Sequence, residues 1–409
     1  MLNFFVRVLK KPISGSLFAL LAAILVGSII LYAAGHNPLQ VYRGLVYGAL
    51  GRPFLVLRTL IFPSPDADLI TAMRYLRYIV NTVVMSTSLI LTGLSVTFAY
   101  KSGLFNIGVE GQFILGTVAA VFLGHILNLP PIIHPIVVML GAMLVSGAYA
   151  AIVGFLKAKF NIHEVLSSIM LNWIALHLLN LYIGFERFQR SSTVALPIQD
   201  SANIIFMHEL KNTPEGIAQI REMGAVSEII LRTNLNFGIF IAIAAVILVK
   251  FVLDKTTLGY TLKAVGANKD AAEFAGINVK KYTILSMFFA GAIAGLAAAV
   301  HITGVFPNTI NTLGSFQNMG FNGIPVALLA NASVIPNIFS ALLFGGMNYG
   351  SGHIQSNYGV ATEIIDIIIG LIVFFVALRA VCLLIASKLE KKTENCSVKH
   401  DPATSAKRE

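Results

Sequence analysis

The 409-residue chain is poor in charge and nearly devoid of cysteine. Only 12% of its residues are Asp, Glu, Lys or Arg, against about 25% in soluble domains. The longest gap runs from Tyr282 to Thr362, 81 residues without one of these four types. A charge at mid-bilayer costs about 2.5–3.5 kcal/mol or more, so a chain that avoids charge for this long reads as embedded in lipid. The two cysteines, Cys382 and Cys396, lie close to the C-terminus and exclude a disulfide framework or a cysteine metal cage. No Gly-x-x-x-x-Gly-Lys-Ser/Thr loop is present, which excludes ATP hydrolysis by this chain. His163-Glu164 and His208-Glu209 lack the second histidine of a zinc-protease motif. Lys and Arg form no long cluster with interleaved aromatics, so nucleic acid is not expected as a partner. No solenoid-length repeat, flexible linker or low-complexity tract divides the chain.

What is present is apolar surface. Hydrophobic residues make up 56% of the chain and mean hydropathy is +0.79. The composition predicts an all-α integral membrane protein, one bundle of about ten transmembrane helices, some short or broken. Gaps between charges set the spans at 13–35, 79–100, two within 111–156, 165–185, 237–253, 282–302, the short stretches 321–333 and 335–350, and 359–385. Asn128-Leu-Pro-Pro-Ile-Ile-His-Pro135 divides the 111–156 run. The bundle then covers 13–387, between an N-terminal segment 1–12 and a tail 388–409. Outer loops are expected at 36–78 and 186–236. Placing the N-terminus inside puts 19 of the 29 Lys and Arg in inner segments, as the positive-inside rule asks. An even span number leaves both termini in the cytoplasm. The first apolar run is too long for a usual signal peptide and reads as an uncleaved span.

Between two spans lies a charged island, the inner loop 254–281. It carries its own helix signals. Asn268 suits an N-cap, Asp270 the first turn, and Gly276 the C-terminal glycine. About two turns, 269–275, would stand exposed. So short a helix is marginal alone, which favours docking against a partner over a solvated loop. Ala271, Ala272 and Ala275 allow close approach, and Phe274 would be the apolar anchor.

Several polar residues fall in or beside spans. Asn106, Glu110 and Gln112 open the third span, either as part of a solute path or as groups satisfying a helix start. Asn172, His177 and Asn180 read as interhelical hydrogen-bond partners or as path residues. Gly291-x-x-x-Gly295 and Gly346-x-x-x-Gly350 read as helix-packing devices. Phe105-Asn-Ile-Gly108 and Phe321-Asn-Gly-Ile324 are alike and precede interrupted stretches. Such broken segments in two halves point to a transporter's midplane site, which makes Asn106 and Asn322 path candidates. The alternative is that both merely cap helices.

Two stretches carry a family resemblance. Gly103-Leu-Phe-Asn-Ile-Gly-Val-Glu-Gly-Gln112 is one. The other is Leu258-Gly-Tyr-Thr-Leu-Lys-Ala-Val-Gly-Ala-Asn268 running into Ala271-Ala-Glu-Phe-Ala-Gly-Ile-Asn-Val279. Both closely resemble permease subunits of bacterial ABC importers for ribose-type sugars, branched-chain amino acids and nucleosides, and the first looks like the nucleoside branch. Lys263 departs from the usual Arg. The resemblance spans about residues 36–380. It implies a non-catalytic permease in the cytoplasmic membrane, importing nucleosides. Riboflavin, purines or a simple sugar are alternative solutes, and a stand-alone secondary transporter is the alternative mechanism. It implies a partner ATPase that binds ATP-Mg, a second homologous permease chain and an extracytoplasmic substrate-binding lipoprotein. Gly259, Lys263, Gly266, Asn268, Ala271, Ala272, Phe274 and Gly276 would form the ATPase-coupling segment.

Overall fold

The computed structural model describes residues 12–62, 66–361, 363–376 and 378. Most of the expected N-terminal segment, the tail 388–409 and the end of the last expected span lie outside the described residues. Contacts divide the chain into two units, 1–38 with 363–409, and 39–362.

In the first unit, α1 (Pro12–Ala33) is uncharged and apolar throughout, the pattern of a helix surrounded by apolar medium. Its Ser28 hydroxyl is satisfied within the helix, donating to the Ile24 carbonyl at 2.7 Å. Residues 363–376 are also helical. They bury Ile365, Ile368, Ile369 and Ile372, a spacing that marks one helix face.

The second unit begins with α2 (Pro38–Leu50), α3 (Pro53–Ile61) and α4 (Asp66–Lys101). Here the structure departs from expectation, because 36–78 is largely helical rather than a loop. The charge-gap reading treated each Arg as a break. Helices accommodate them by laying the cation over aromatic surface, with Arg52 5.2 Å from the Tyr75 ring centre and Arg77 5.2 Å from that of Tyr78. The real break is Gly51-Arg52-Pro53, where Gly51 has φ +63° and proline occupies the first turn of α3.

The chain continues through α5 (Val109–Ile126), α6 (Ile133–Phe160) and α7 (Glu164–Gly184), with the expected break at 127–132. Segment 186–236 is ordered. It holds a two-stranded hairpin, β1 (Gln189–Ser191) and β2 (Val194–Ala195), then α8 (His208–Lys211), α9 (Pro214–Glu222) and α10 (Ser227–Arg232). Bonds tie it to the bundle: Gln199 N donates to Gly124 O at 2.8 Å, Ile204 N to Thr303 O at 2.9 Å, and Arg74 pairs with Glu228 at 3.2 Å. Burial lowers the pKa of the Lys211 ammonium below its ordinary value. Then follow α11 (Gly238–Lys255), α12 (Thr257–Ala267), α13 (Lys269–Phe274), α14 (Val279–Gly304), α15 (Gly323–Leu329) and α16 (Pro336–Tyr358).

Central α14 packs against α4, α5 and α6. Its Gly291 and Gly295 face Ala142, Ser146 and Ala150 of α6 so closely that a Cβ on Gly291 would lie 2.5 Å from the Ser146 carbonyl. Gly350 of α16 meets Leu45 of α2 in the same way, at 2.7 Å from its carbonyl. Both glycine pairs therefore pack helices through bare backbone.

Among the described residues, six helical stretches are long and apolar enough to cross a membrane: Pro38–Ile61, Asp68–Lys101, Val109–Ile126, Ile133–Phe160, Glu164–Gly184 and Val279–Gly304. Six is fewer than the ten expected. Helix α11 carries Lys250, Asp254 and Lys255 in its last two turns, and α15 has only seven residues, about 10 Å of rise.

Candidate functional site

The α4–α5 connection is built around a helix stop. Leu104 N donates to Ala99 O and Gly103 N to Tyr100 O, with Gly103 at φ +71°, the pattern of a glycine-terminated helix. The chain then enters a buried polar knot. Asn106 and Gln112 exchange two amide bonds, Nδ2 to Oε1 at 2.8 Å and Nε2 to Oδ1 at 2.9 Å. Asn106 Nδ2 also reaches Ser95 Oγ, which donates to Ala290 O at 2.6 Å. Asn172 of α7 clamps the same turn, accepting from Gly111 N at 2.9 Å and donating to Ile107 O at 3.1 Å.

Glu110 is fully buried. Its carboxylate accepts from the backbone amides of Asn318 (2.9 Å), Gly320 (2.7 Å) and Phe321 (2.9 Å). Gly320 is packed so tightly against it that a Cβ there would lie 2.5 Å from Glu110 Cα. The two look-alike segments, 105–108 and 321–324, are thus joined through one carboxylate. A buried carboxylate requires this kind of multiple donation.

Asn106, Glu110, Gln112 and Asn172 come together here and spend their hydrogen bonds on the protein. Helix capping does not explain the two asparagines. The N-cap position of α5 is Gly108, and Asn322, half-buried at the start of α15, makes no side-chain cap bond.

The second cluster is the inner loop. Thr256 caps α12 through Gly259 N at 3.2 Å, and Gly259 packs against the Val252–Leu253 backbone of α11. Lys263 approaches Asp254 at 3.4 Å. Asn268 caps α13 by accepting from Ala271 N at 3.0 Å. Gly276 closes that helix at φ +81°, with Ile277 N bonding to Ala272 O. Ala272 is buried beneath, Ala271 faces outward, and Phe274 is 97% exposed. The cluster touches the polar knot at one place. Gly266 packs directly on Lys101 and Gly103.

Sequence reasoning did not find the irregular chain 305–322, which runs alongside α7 and meets Trp173 through Phe316. Its only signal was the absence of helix periodicity between two apolar runs.

A bundle of apolar helices with a buried polar knot and a re-entrant irregular chain is the architecture of a membrane transporter. The comparisons identify which kind. Residues 78–377 match the family described as the branched-chain amino acid transport system permease component, and the chain belongs to that family. The chain is 33% identical over 379 residues to the guanosine ABC transporter permease protein NupP of Bacillus subtilis (strain 168), covering 93% of this chain and 97% of that one. It is 34% identical over 372 residues to the nucleoside ABC transporter permease protein NupB of Lactococcus lactis subsp. cremoris (strain MG1363), covering 89% and 90%. It is also 27% identical over 271 residues to NupQ, a second guanosine permease of the same Bacillus, covering 64% and 78%. No solved structure matches the chain. As a permease component, the chain is non-catalytic.

Proposed function

We propose that this chain is one permease subunit of an ATP-driven nucleoside importer in the bacterial cytoplasmic membrane. One observation carries the reading. Phe274 stands almost fully exposed on a six-residue helix capped at both ends, on the lysine-rich side of the bundle. An exposed aromatic on a rigid, capped support is a docking anchor. Its partner is an ATPase subunit that binds ATP-Mg and seats on α13. The similarity to both NupP and NupQ, two guanosine permeases of one organism, supports pairing with a second, homologous permease chain. Segment 186–236, with 11 charged residues on a bound scaffold, supports docking of an extracytoplasmic binding lipoprotein. About ten spans, counting α11, α15, α16 and the C-terminal helix, with both termini cytoplasmic, complete the arrangement.

The test replaces Phe274 with Asp. The protein is expected to insert normally, lose co-purification of the ATPase and lose uptake. Retained co-purification and uptake would overturn the docking assignment. The solute is tested by uptake of a nucleoside panel with riboflavin, free purines and glucose as competitors. Uptake of a competitor without nucleoside uptake would overturn the solute class.

A further inference from the structure

We infer that Trp173, His177 and Phe316, together with the irregular segment 311–318, form the mid-membrane wall of the solute path, with the aromatic pair stacking the planar base. The identity of the solute rests on the nucleoside reading above; the location of the wall does not.

The location follows from depth. Helix α7 is 21 residues long, about 31 Å, enough to cross the hydrocarbon core. Trp173 is its tenth residue, so it sits at mid-span. His177 and Asn180 follow at one and two turns on the same face. The irregular chain descends along that face. Leu313 N donates to Asn180 Oδ1 and Asn180 Nδ2 to Leu313 O, both at 2.8 Å. Three residues on, the Phe316 ring lies 4.6 Å from that of Trp173. Two further on, the amide of Asn318 reaches Glu110. The chain between Leu313 and Asn318 therefore lies at bilayer depth without helix or sheet.

Its chemistry decides what it faces. Asn311, Thr312, Gly314, Ser315, Gln317 and Asn318 are all exposed. The amides of Gly314 and Ser315 find no protein acceptor among the described residues. Irregular backbone with open amides is tolerated at this depth only against protein or water. Lipid is thereby excluded, and a row of amide and hydroxyl side chains fits a wetted channel. Trp173 is 48% exposed, and the His177 ring stacks on it with 28° between planes. Exposed aromatics beside amide donors and acceptors suit a heterocyclic base with a ribose, since every base offers a π-face and an amide both donates and accepts.

The experiment uses the assembled importer in proteoliposomes. Trp173→Leu and Phe316→Leu are each expected to raise the KM for nucleoside uptake roughly tenfold, while Trp173→Phe leaves it within about twofold. Unchanged KM in both leucine variants, with wild-type nucleoside uptake intact, overturns the stacking site alone. Absent nucleoside uptake in the wild type overturns the solute class instead. A second readout is independent of solute identity and of subtle misfolding. In a chain carrying Cys382→Ser and Cys396→Ser, single cysteines are placed at Thr312, Ser315 and Gln317. A small hydrophilic thiol reagent is expected to modify all three. Modification only by a lipid-soluble maleimide, or by neither reagent, overturns the wetted wall.

Discussion

Gly103 and Gly266 meet backbone to backbone. A Cβ on Gly266 would lie 2.7 Å from Gly103 N and 2.6 Å from Lys101 O, and one on Gly103 would lie 2.9 Å from Gly266 Cα. On one side, two residues lead from Gly266 to the cap of α13. On the other, three lead from Gly103 to Asn106, and seven to Glu110. A close-packed contact does not compress, so a displacement of α12 and α13 reaches the polar knot directly.

Gly266→Ala drives a methyl into that contact. Overpacking of this kind costs about 1–3 kcal/mol. The variant is expected to unfold at lower temperature in detergent and to hydrolyse ATP in the assembled complex without proportionate uptake. Uptake and solute-stimulated hydrolysis both at wild-type levels would show that the contact transmits nothing.

Glu110→Gln keeps the shape and removes the charge. Hydrogen bonds to a charged acceptor are worth about 1.5–3 kcal/mol, and an amide NH₂ would face the donors of segment 318–321. A loss of about 2–3 kcal/mol in thermal stability, with uptake falling alongside, is expected. Stability equal to wild type would show that the carboxylate is not what joins the two segments.

Asn106→Ser retains a hydroxyl and loses the two-bond exchange with Gln112, whereas Asn322→Ser removes an amide that caps nothing. Asn106→Ser is expected to lower stability, with a coupling of about 1 kcal/mol to Gln112→Leu in a double-mutant cycle. Asn322→Ser is expected to leave stability unchanged and to alter uptake only if the side chain contacts solute. Additive effects of the Asn106 and Gln112 variants would dissolve the pair.

A cysteine placed at Gln219, exposed on α9, is expected to react in intact cells with an impermeant thiol reagent. Reaction only after lysis would invert the topology and move Phe274 to the outer face.

The sequence alone determined the medium and the family, because both depend on local pattern. The charge-free run 282–362 requires lipid whatever the packing. The caps Asn268 and Gly276 act within three or four residues, so α13 was legible to the turn. The bare-backbone roles of Gly291 and Gly350 followed from their spacing on one helix face. Local pattern failed where a charge could be absorbed by a distant ring. Arg52 over Tyr75 and Arg77 over Tyr78 turned the expected loop 36–78 into helix. Only the tertiary structure brought Glu110 to Gly320, 210 positions away, and Gly266 to Gly103. It also laid Phe316 against Trp173. A carboxylate's donors, a glycine's neighbour and a ring's partner across hundreds of residues leave no periodic trace, since their pairing exists only once the helices have packed.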